Sequence, residues 1–193
     1  MLASASPARL RLLREAGFDP VVRVSGVDES AVAEDDPWAL VRDLATRKAT
    51  VVAESYDDDS AIVVGCDSML VLDGDVLGKP ADAAEATARW RRMRGRTGVL
   101  LTGHCVMEVG TRRAASEVAD TVVRFGTPSD DEIAAYVATG EPLHVAGAFT
   151  IDGRSAVFVD SIDGDPSNVV GLSLPLLRRL LAELGVAVTS LWR

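Results

Sequence analysis

The segment Ile62 to Pro80, IVVGCDSMLVLDGDVLGKP, constrains this chain most. It reads as a short buried strand ending at an acid, Asp67, then a second strand, an Asp73-Gly74 turn and a third strand ending at Lys79. Asp-Gly between apolar runs is a strong hairpin signal, because a two-residue type I′ turn needs positive φ at both central positions. Counting outward from the turn pairs Leu72 with Asp75, Val71 with Val76, Leu70 with Leu77 and, further out, Ser68 with Lys79. The hairpin then returns Lys79 beside Asp67 at the exit of a buried strand. A carboxylate and an ammonium converging there suit a metal-assisted reaction on an anionic, phosphorylated group. A surface ion pair that closes the hairpin fits the same two residues.

The N-terminus supplies the next candidates. Met1 to Ala3 can form a short strand, and Ser4-Ala5-Ser6-Pro7 opens a helix with Ser6 as N-cap and Pro7 at the first helical position. Leu10 and Leu13 form its buried stripe, and Gly17 ends it. Arg9 is out of place, since a cation in the first turn opposes the helix dipole. An anion held by Ser4, Ser6, free backbone N–H groups and Arg9 would remove the conflict. A solvated arginine on a helix that also carries Arg11 and Arg14 is the other reading.

A longer helix is predicted from about Asp36 to Ser55, with an apolar seam of Val41, Leu44, Ala45 and Val52. Lys48 falls inside that seam, whereas Arg47 lies off it. Such a lysine either snorkels to the edge or reaches a site between helix and sheet. Upstream, Asp28 and Glu29 follow a strand-like VVRV run as metal ligands or as a turn. The ESYDDDS stretch, Glu54 to Ser60, reads as a solvated acidic loop.

Beyond Lys79, Asp82 and Glu85 form a capping box for a helix that ends at Gly95 and carries Trp90 and Met93 to the core. Strands follow over Gly98 to Glu108 and Glu117 to Phe125. Ser129 and Glu132 box the helix DEIAAYVATG, the run Ala146-Gly147-Ala148 points to close backbone approach, and a last helix occupies about Leu174 to Leu184. This alternation of helix and strand argues for an α/β fold with a mixed central sheet flanked by helices.

Composition excludes several classes. With 193 residues, 48% hydrophobic, the chain suffices for one α/β domain, 1–193, with room for two lobes. A net charge of −9 argues against nucleic-acid binding. The apolar runs are far short of a membrane span, and the start MLASASP has no signal-peptide character. Cys66 and Cys105, the two cysteines, sit in apolar strand-like runs and read as free thiols in a reducing, cytoplasmic setting. Gly78-Lys79-Pro80 is not a Walker motif, GxGxxG is missing, and no Cys/His set has zinc spacing. His104 and His144 read as structural.

Taken together, LASASPARLRLL, SGVDES, LATRKA, GCDSMLVLDGDVLGKP, WRRMRGRTGVLLTGH, DEIAAYVATGEPLHVAGAF and GDPSNVVGLSLPLL resemble, in order and over almost the whole chain, the Maf family of nucleoside triphosphate pyrophosphatases in its actinobacterial form. The resemblance implies a two-lobed α/β fold related to the inosine-triphosphate pyrophosphatase group, with the site in a central cleft. It implies hydrolysis of a nucleoside triphosphate substrate to monophosphate and pyrophosphate with Mg²⁺ or Mn²⁺, possible homodimers, and a link to septum formation. A nucleotide-binding regulator of division with little turnover is the alternative from another class.

Carried over by motif, the resemblance assigns Ser4, Ser6 and Arg9 to the substrate anion, Glu29 and Asp67 to the metal, Lys48 and Lys79 to the phosphates, and Asp67 to deprotonating the attacking water. Glu29, Asp67 and Lys79 are thereby the catalytic set. Ser68 and Asp152 occupy the positions tied to base choice, where pyrimidine-preferring members carry Thr and Gln. The chain departs from the pattern at Ala8, where many members have a second arginine. It departs again at Gly98 in place of a histidine, at His144-Val145 in place of Asp-Lys, and at Ser155-Ala156 in place of a glycine-containing pair.

Overall fold

The structure, a computed structural model, describes residues 1–29, 32 and 34–193; Ser30 of the SGVDES segment lies outside the described residues. In chain order the regular elements are α1 (Pro7–Glu15), α2 (Pro37–Glu54), β1 (Ile62–Leu72), β2 (Asp75–Leu77), α3 (Ala83–Met93), β3 (Thr97–Glu108), β4 (Ala114–Phe125), α4 (Asp130–Ala138), β5 (Val159–Gly164), α5 (Pro166–Val170) and α6 (Leu174–Glu183). Among the described residues the strands form a five-stranded sheet in the order β2-β1-β3-β4-β5. The β1–β2 and β4–β5 pairings are antiparallel, while Leu2 makes parallel bridges to Val22 and Val64, so both pairing senses occur. No helix among the described residues is long and apolar enough to cross a membrane.

The hairpin register is Leu70–Leu77, Val71–Val76 and Leu72–Asp75, as the Asp73-Gly74 turn predicts, with positive φ at both turn residues. Two details of that region are corrected. First, β1 is one continuous strand of 11 residues, and Asp67 lies in its middle rather than at an exit. Second, the ladder ends at Leu77 and does not extend to a Ser68–Lys79 pair. The Gly78 carbonyl instead accepts from Gly147 N–H at 2.9 Å and from Arg89 Nη1 at 2.5 Å. Those bonds draw the chain into a separate loop.

The chain divides into two compact units. The first comprises 1–67, 102–119 and 171–193; the second comprises 68–101 and 120–170. The first is built by alternation along β1 and β3. Val63, Cys105 and Met107 pack with Ala45, Ala49 and Val52 of α2. Val64, Cys66 and Val106 point the other way and pack with Leu2, Leu13 and the α6 leucines 176, 177, 180 and 181. Pro7 and Pro37 begin their helices behind the N-caps Ser6 and Asp36, and Gly17 follows α1 at φ 90°.

The second unit has an aromatic interior. Trp90 of α3 makes edge-to-face contacts with Phe125, Tyr136 and Phe158 at centroid distances of 5.9, 5.5 and 5.7 Å. Its indole N–H donates to Ala148 O at 2.8 Å. Ala148 and Gly147 both have positive φ, and a Cβ at Gly147 would come within 2.7 Å of the Leu70 side chain, which is why this position is glycine. Ser129 and Glu132 form the full capping box of α4. The box predicted for α3 is only half formed. Asp82 accepts from Glu85 N–H at 2.8 Å, but Glu85 reaches past its N-cap to Ala81 N–H at 2.7 Å.

Candidate functional site

Two glycines inside strands position the central side chains. A Cβ at Gly65 would lie 2.3 Å from Ala45 O and 2.8 Å from Ala49 N; one at Gly103 would lie 2.0 Å from Val41 O. Without side chains there, the backbone of α2 rests directly on β1 and β3. Gly65 and Asp67 are two residues apart and so share a strand face. Lys48, between Ala45 and Ala49 on the inward stripe of α2, therefore arrives at Asp67. Its Nζ donates to Asp67 Oδ1 at 2.5 Å and to Glu29 Oε1 at 2.5 Å. Lys48 and Asp67 are 8% and 6% exposed, so the seam lysine does not snorkel to the edge. Sequence reasoning found Lys48 but missed the two glycines, although an isolated glycine in a strand is a signal of close backbone approach.

Burial is the largest influence on Asp67 and pushes its carboxyl above the usual carboxylate range. The Lys48 ammonium, by charge and by hydrogen bond, and then Arg9 pull it back in part, while the nearby Glu29 adds to the push. Taking such charges out of water costs several kcal/mol per ion, which an apolar pair would avoid. The arrangement thus gains little for stability. It supplies a buried carboxylate of raised basicity beside a fixed cation.

Arg9 is also buried, at 8% exposure, which overturns the reading of a solvated helix arginine. Its Nε donates to Gly171 O at 2.6 Å, and its Nη1 donates to Ser4 Oγ at 3.0 Å and to Cys66 O at 2.9 Å. Ser4 Oγ also accepts from Ser6 N–H at 3.2 Å, and Ser6 Oγ accepts from Arg9 N–H at 3.4 Å. The Cys66 contact fixes the guanidinium one residue from Asp67. His104 acts from the other strand face. Its Nε2 accepts from Ser173 N–H at 2.8 Å, and its Nδ1 lies 2.9 Å from Thr102 O, which places the ring proton on Nδ1. Arg9 and His104 together tie the turn 171–173 that starts α6.

Ser4, Ser6, Arg9, Glu29, Lys48 and Asp67 all belong to the first unit. Ser68, Lys79 and Asp152 belong to the second. Within it, Lys79 is exposed and Ser68 half-buried. Asp152 is exposed and accepts a hydrogen bond from Thr150 Oγ1. The loop after Asp152 folds around Glu141, whose carboxylate accepts from Arg154 N–H at 2.9 and 3.1 Å and from Ser155 N–H at 3.4 Å. The acidic loop 57–60 is exposed, and the Asp58 carboxylate accepts from Ser60 N–H and Oγ.

Among the described residues no group of three or more His, Cys, Asp or Glu is arranged to hold a metal ion. The available hard donors are Glu29 and Asp67, whose oxygens converge on a cation, the Lys48 ammonium. Two carboxylates completed by water and phosphate oxygens are the kind of donor set that Mg²⁺ uses. The residues present therefore fit such an ion.

The family model for Maf-like protein matches residues 1–184. The chain is similar to a nucleoside triphosphate pyrophosphatase of Streptomyces coelicolor, 66% identical over 192 residues that span 100% of this chain and 93% of that protein. It is similar to proteins of the same name in Salinispora tropica, at 58% over 195 residues and 86% of that chain, and in Nocardia farcinica, at 53% over 203 residues and 96% of that chain.

Proposed function

This chain belongs to the Maf-like protein family, and from that premise we propose that it is a nucleoside triphosphate pyrophosphatase, releasing pyrophosphate and leaving the nucleoside monophosphate. The observation that carries the reading is the buried Lys48 ammonium held between Asp67 and Glu29. Asp67 accepts a proton from the water that attacks the α-phosphorus, and burial raises its basicity above that of an ordinary carboxylate. Lys48 and Arg9 offset the charge that develops on the leaving pyrophosphate. Lys79 is assigned the same role in the second unit by its motif, and Ser68 and Asp152 are assigned the base. Ser4 and Ser6 organise the start of α1 around Arg9.

Glu29 and Asp67 are the residues that would hold a divalent cation, Mg²⁺ or Mn²⁺. When bound, it supplies electrophilic polarisation of phosphate oxygens and a lowered pKa for a coordinated water. A cytoplasmic location fits the two free, buried cysteines, of which Cys66 is pushed up to about 12 by burial.

A pyrophosphate-release assay over a nucleotide panel, with and without Mg²⁺ or Mn²⁺ and after chelation, tests the reading. Asp67→Asn should keep the fold by circular dichroism and nucleotide binding by calorimetry, yet lose roughly 10²–10⁴-fold in turnover, the range for a missing general base. Near-wild-type turnover in the folded variant removes Asp67 from that role. Nucleotide binding without pyrophosphate release in the unmodified protein would favour a binding regulator instead.

A further inference from the structure

Gly78 to Ala81 is the loop that carries Lys79, and it is tied at both ends from one helix. At its entry, Gly78 O accepts from Arg89 Nη1 at 2.5 Å and from Gly147 N–H at 2.9 Å. At its exit, Ala81 N–H donates to Glu85 Oε2 at 2.7 Å. Glu85 and Arg89 stand one turn apart on α3, and Arg89 Nε and Nη2 donate to Glu85 Oε1 at 3.0 and 2.5 Å. One carboxylate thus holds the loop exit with one oxygen. With the other it aims the guanidinium that holds the loop entry. The Arg89 side chain is 11% exposed, so water competes poorly for its bond to Gly78 O, whereas the Glu85 side chain is 42% exposed and Lys79 itself is exposed. A lysine at position 89 would not reproduce the arrangement, because its one ammonium would replace three guanidinium nitrogens that are spread along a planar fork, two on the Glu85 carboxylate and one on the Gly78 carbonyl. An ordinary helix-stabilising i,i+4 pair would need neither loop contact.

We infer that Glu85 and Arg89 are positioning residues for the reaction: they fix the 78–81 loop so that Lys79 meets the triphosphate in one geometry. This rests on the role given to Lys79 above. A double-mutant cycle in the full-length protein separates positioning from mere structure. Arg89→Met should lower kcat/KM by about ten- to a hundredfold, as small misplacements of positioned groups do. In a Lys79→Ala background the same substitution should change kcat/KM by less than about twofold, because the group it positions is gone. Arg89→Lys should fall between wild type and Arg89→Met. Thermal unfolding checks that the variants fold. If Arg89→Met does not, Glu85→Gln keeps an acceptor for Ala81 N–H, drops the ion pair, and should show the same Lys79-dependent loss. An Arg89 loss that persists undiminished in the Lys79→Ala background overturns the inference, as does a silent Arg89→Met beside a damaging Lys79→Ala. A silent Lys79→Ala instead overturns the role of Lys79 in the proposed function.

Discussion

Arg9, Lys48 and Asp67 are each less than a tenth exposed in the first unit, whereas every buried polar residue of the second, Thr121, Thr150, Ser155 and Asn168, is neutral. The second unit packs rings around Trp90 and keeps pairs such as Arg92–Asp75 and Arg91–Asp130 outside, while in Arg89–Glu85 the arginine is largely covered and its carboxylate partner is not. Aromatic packing stabilises without desolvating charge, while a buried ammonium between carboxylates is costly unless every partner stays in place. The two units therefore divide the work. One holds a preformed charged cluster on rigid strands and a helix; the other presents its candidate groups, Lys79 and Asp152, on exposed loops that Glu85 and Glu141 tie down from within.

The largest test of that contrast is removal of one charge from each unit. Lys48→Met leaves Asp67 buried without its ammonium and should cost about 3–5 kcal/mol of stability. Adding Asp67→Leu to Lys48→Met should recover much of it. Arg92→Ala, which breaks an exposed pair at 2.7 Å, should cost no more than about 1 kcal/mol. Urea unfolding with unchanged m values reads both. Equal losses would break the comparison.

Much of this contrast is legible in the amino-acid order, and the illegible parts have physical reasons. Helix α2 begins and ends where Asp36 and Ser55 predict, and a lysine on an apolar seam correctly marks the centre of the cluster. The hairpin register follows from two turn residues. The Ser68–Lys79 pair does not form because turn geometry sets register only while the ladder lasts, and the ladder stops where Gly78 O finds Gly147 and Arg89. Arg9 could be read as solvated because its acceptors, Cys66 O and Gly171 O, are distant in sequence. The depth of Lys48 depends on Gly65 and Gly103, whose meaning appears only once a helix lies over them. Strand β5, short and acidic, carries too little apolar alternation to announce itself.

A smaller effect concerns Asp152, which typifies the surface groups of the second unit. An ionised carboxylate offers only acceptors, so it favours a base edge that donates and disfavours uracil and thymine. Asp152→Gln supplies a donor and should shift relative kcat/KM toward UTP and dTTP by roughly tenfold, equivalent to about 1.4 kcal/mol of discrimination. Competition kinetics with UTP, CTP and GTP measure it. An unchanged order of preference takes Asp152 out of base reading and leaves its bond to Thr150 as a purely local turn contact.

The smallest effect is a difference of sign. Burial holds the Asp67 carboxyl above the usual range, so the folded protein binds this proton more tightly than the unfolded chain does. Its contribution is fully present below the ordinary Asp value of about 3.9 and is lost as pH rises through the raised folded value. The helix-end acids of the second unit behave oppositely. Glu85 is held low by Ala81 N–H and then Arg89, Asp130 by Arg91 and Arg94, and Glu132 by the Ser129 N–H. Their contributions are present above ordinary carboxylate values and are lost as pH falls through the lowered ones. In urea unfolding of the nucleotide-free protein from about pH 3 to about pH 7, Asp67→Asn should remove a decline in stability on the upper side of the ordinary value. Glu85→Gln and Glu132→Gln should flatten the acid limb below it and leave the upper side unchanged. Because these acids are exposed, salt should shrink their limb while hardly touching that of Asp67, which is buried. If all three substitutions bend the profile the same way, the division between a charged interior and a neutral one is wrong.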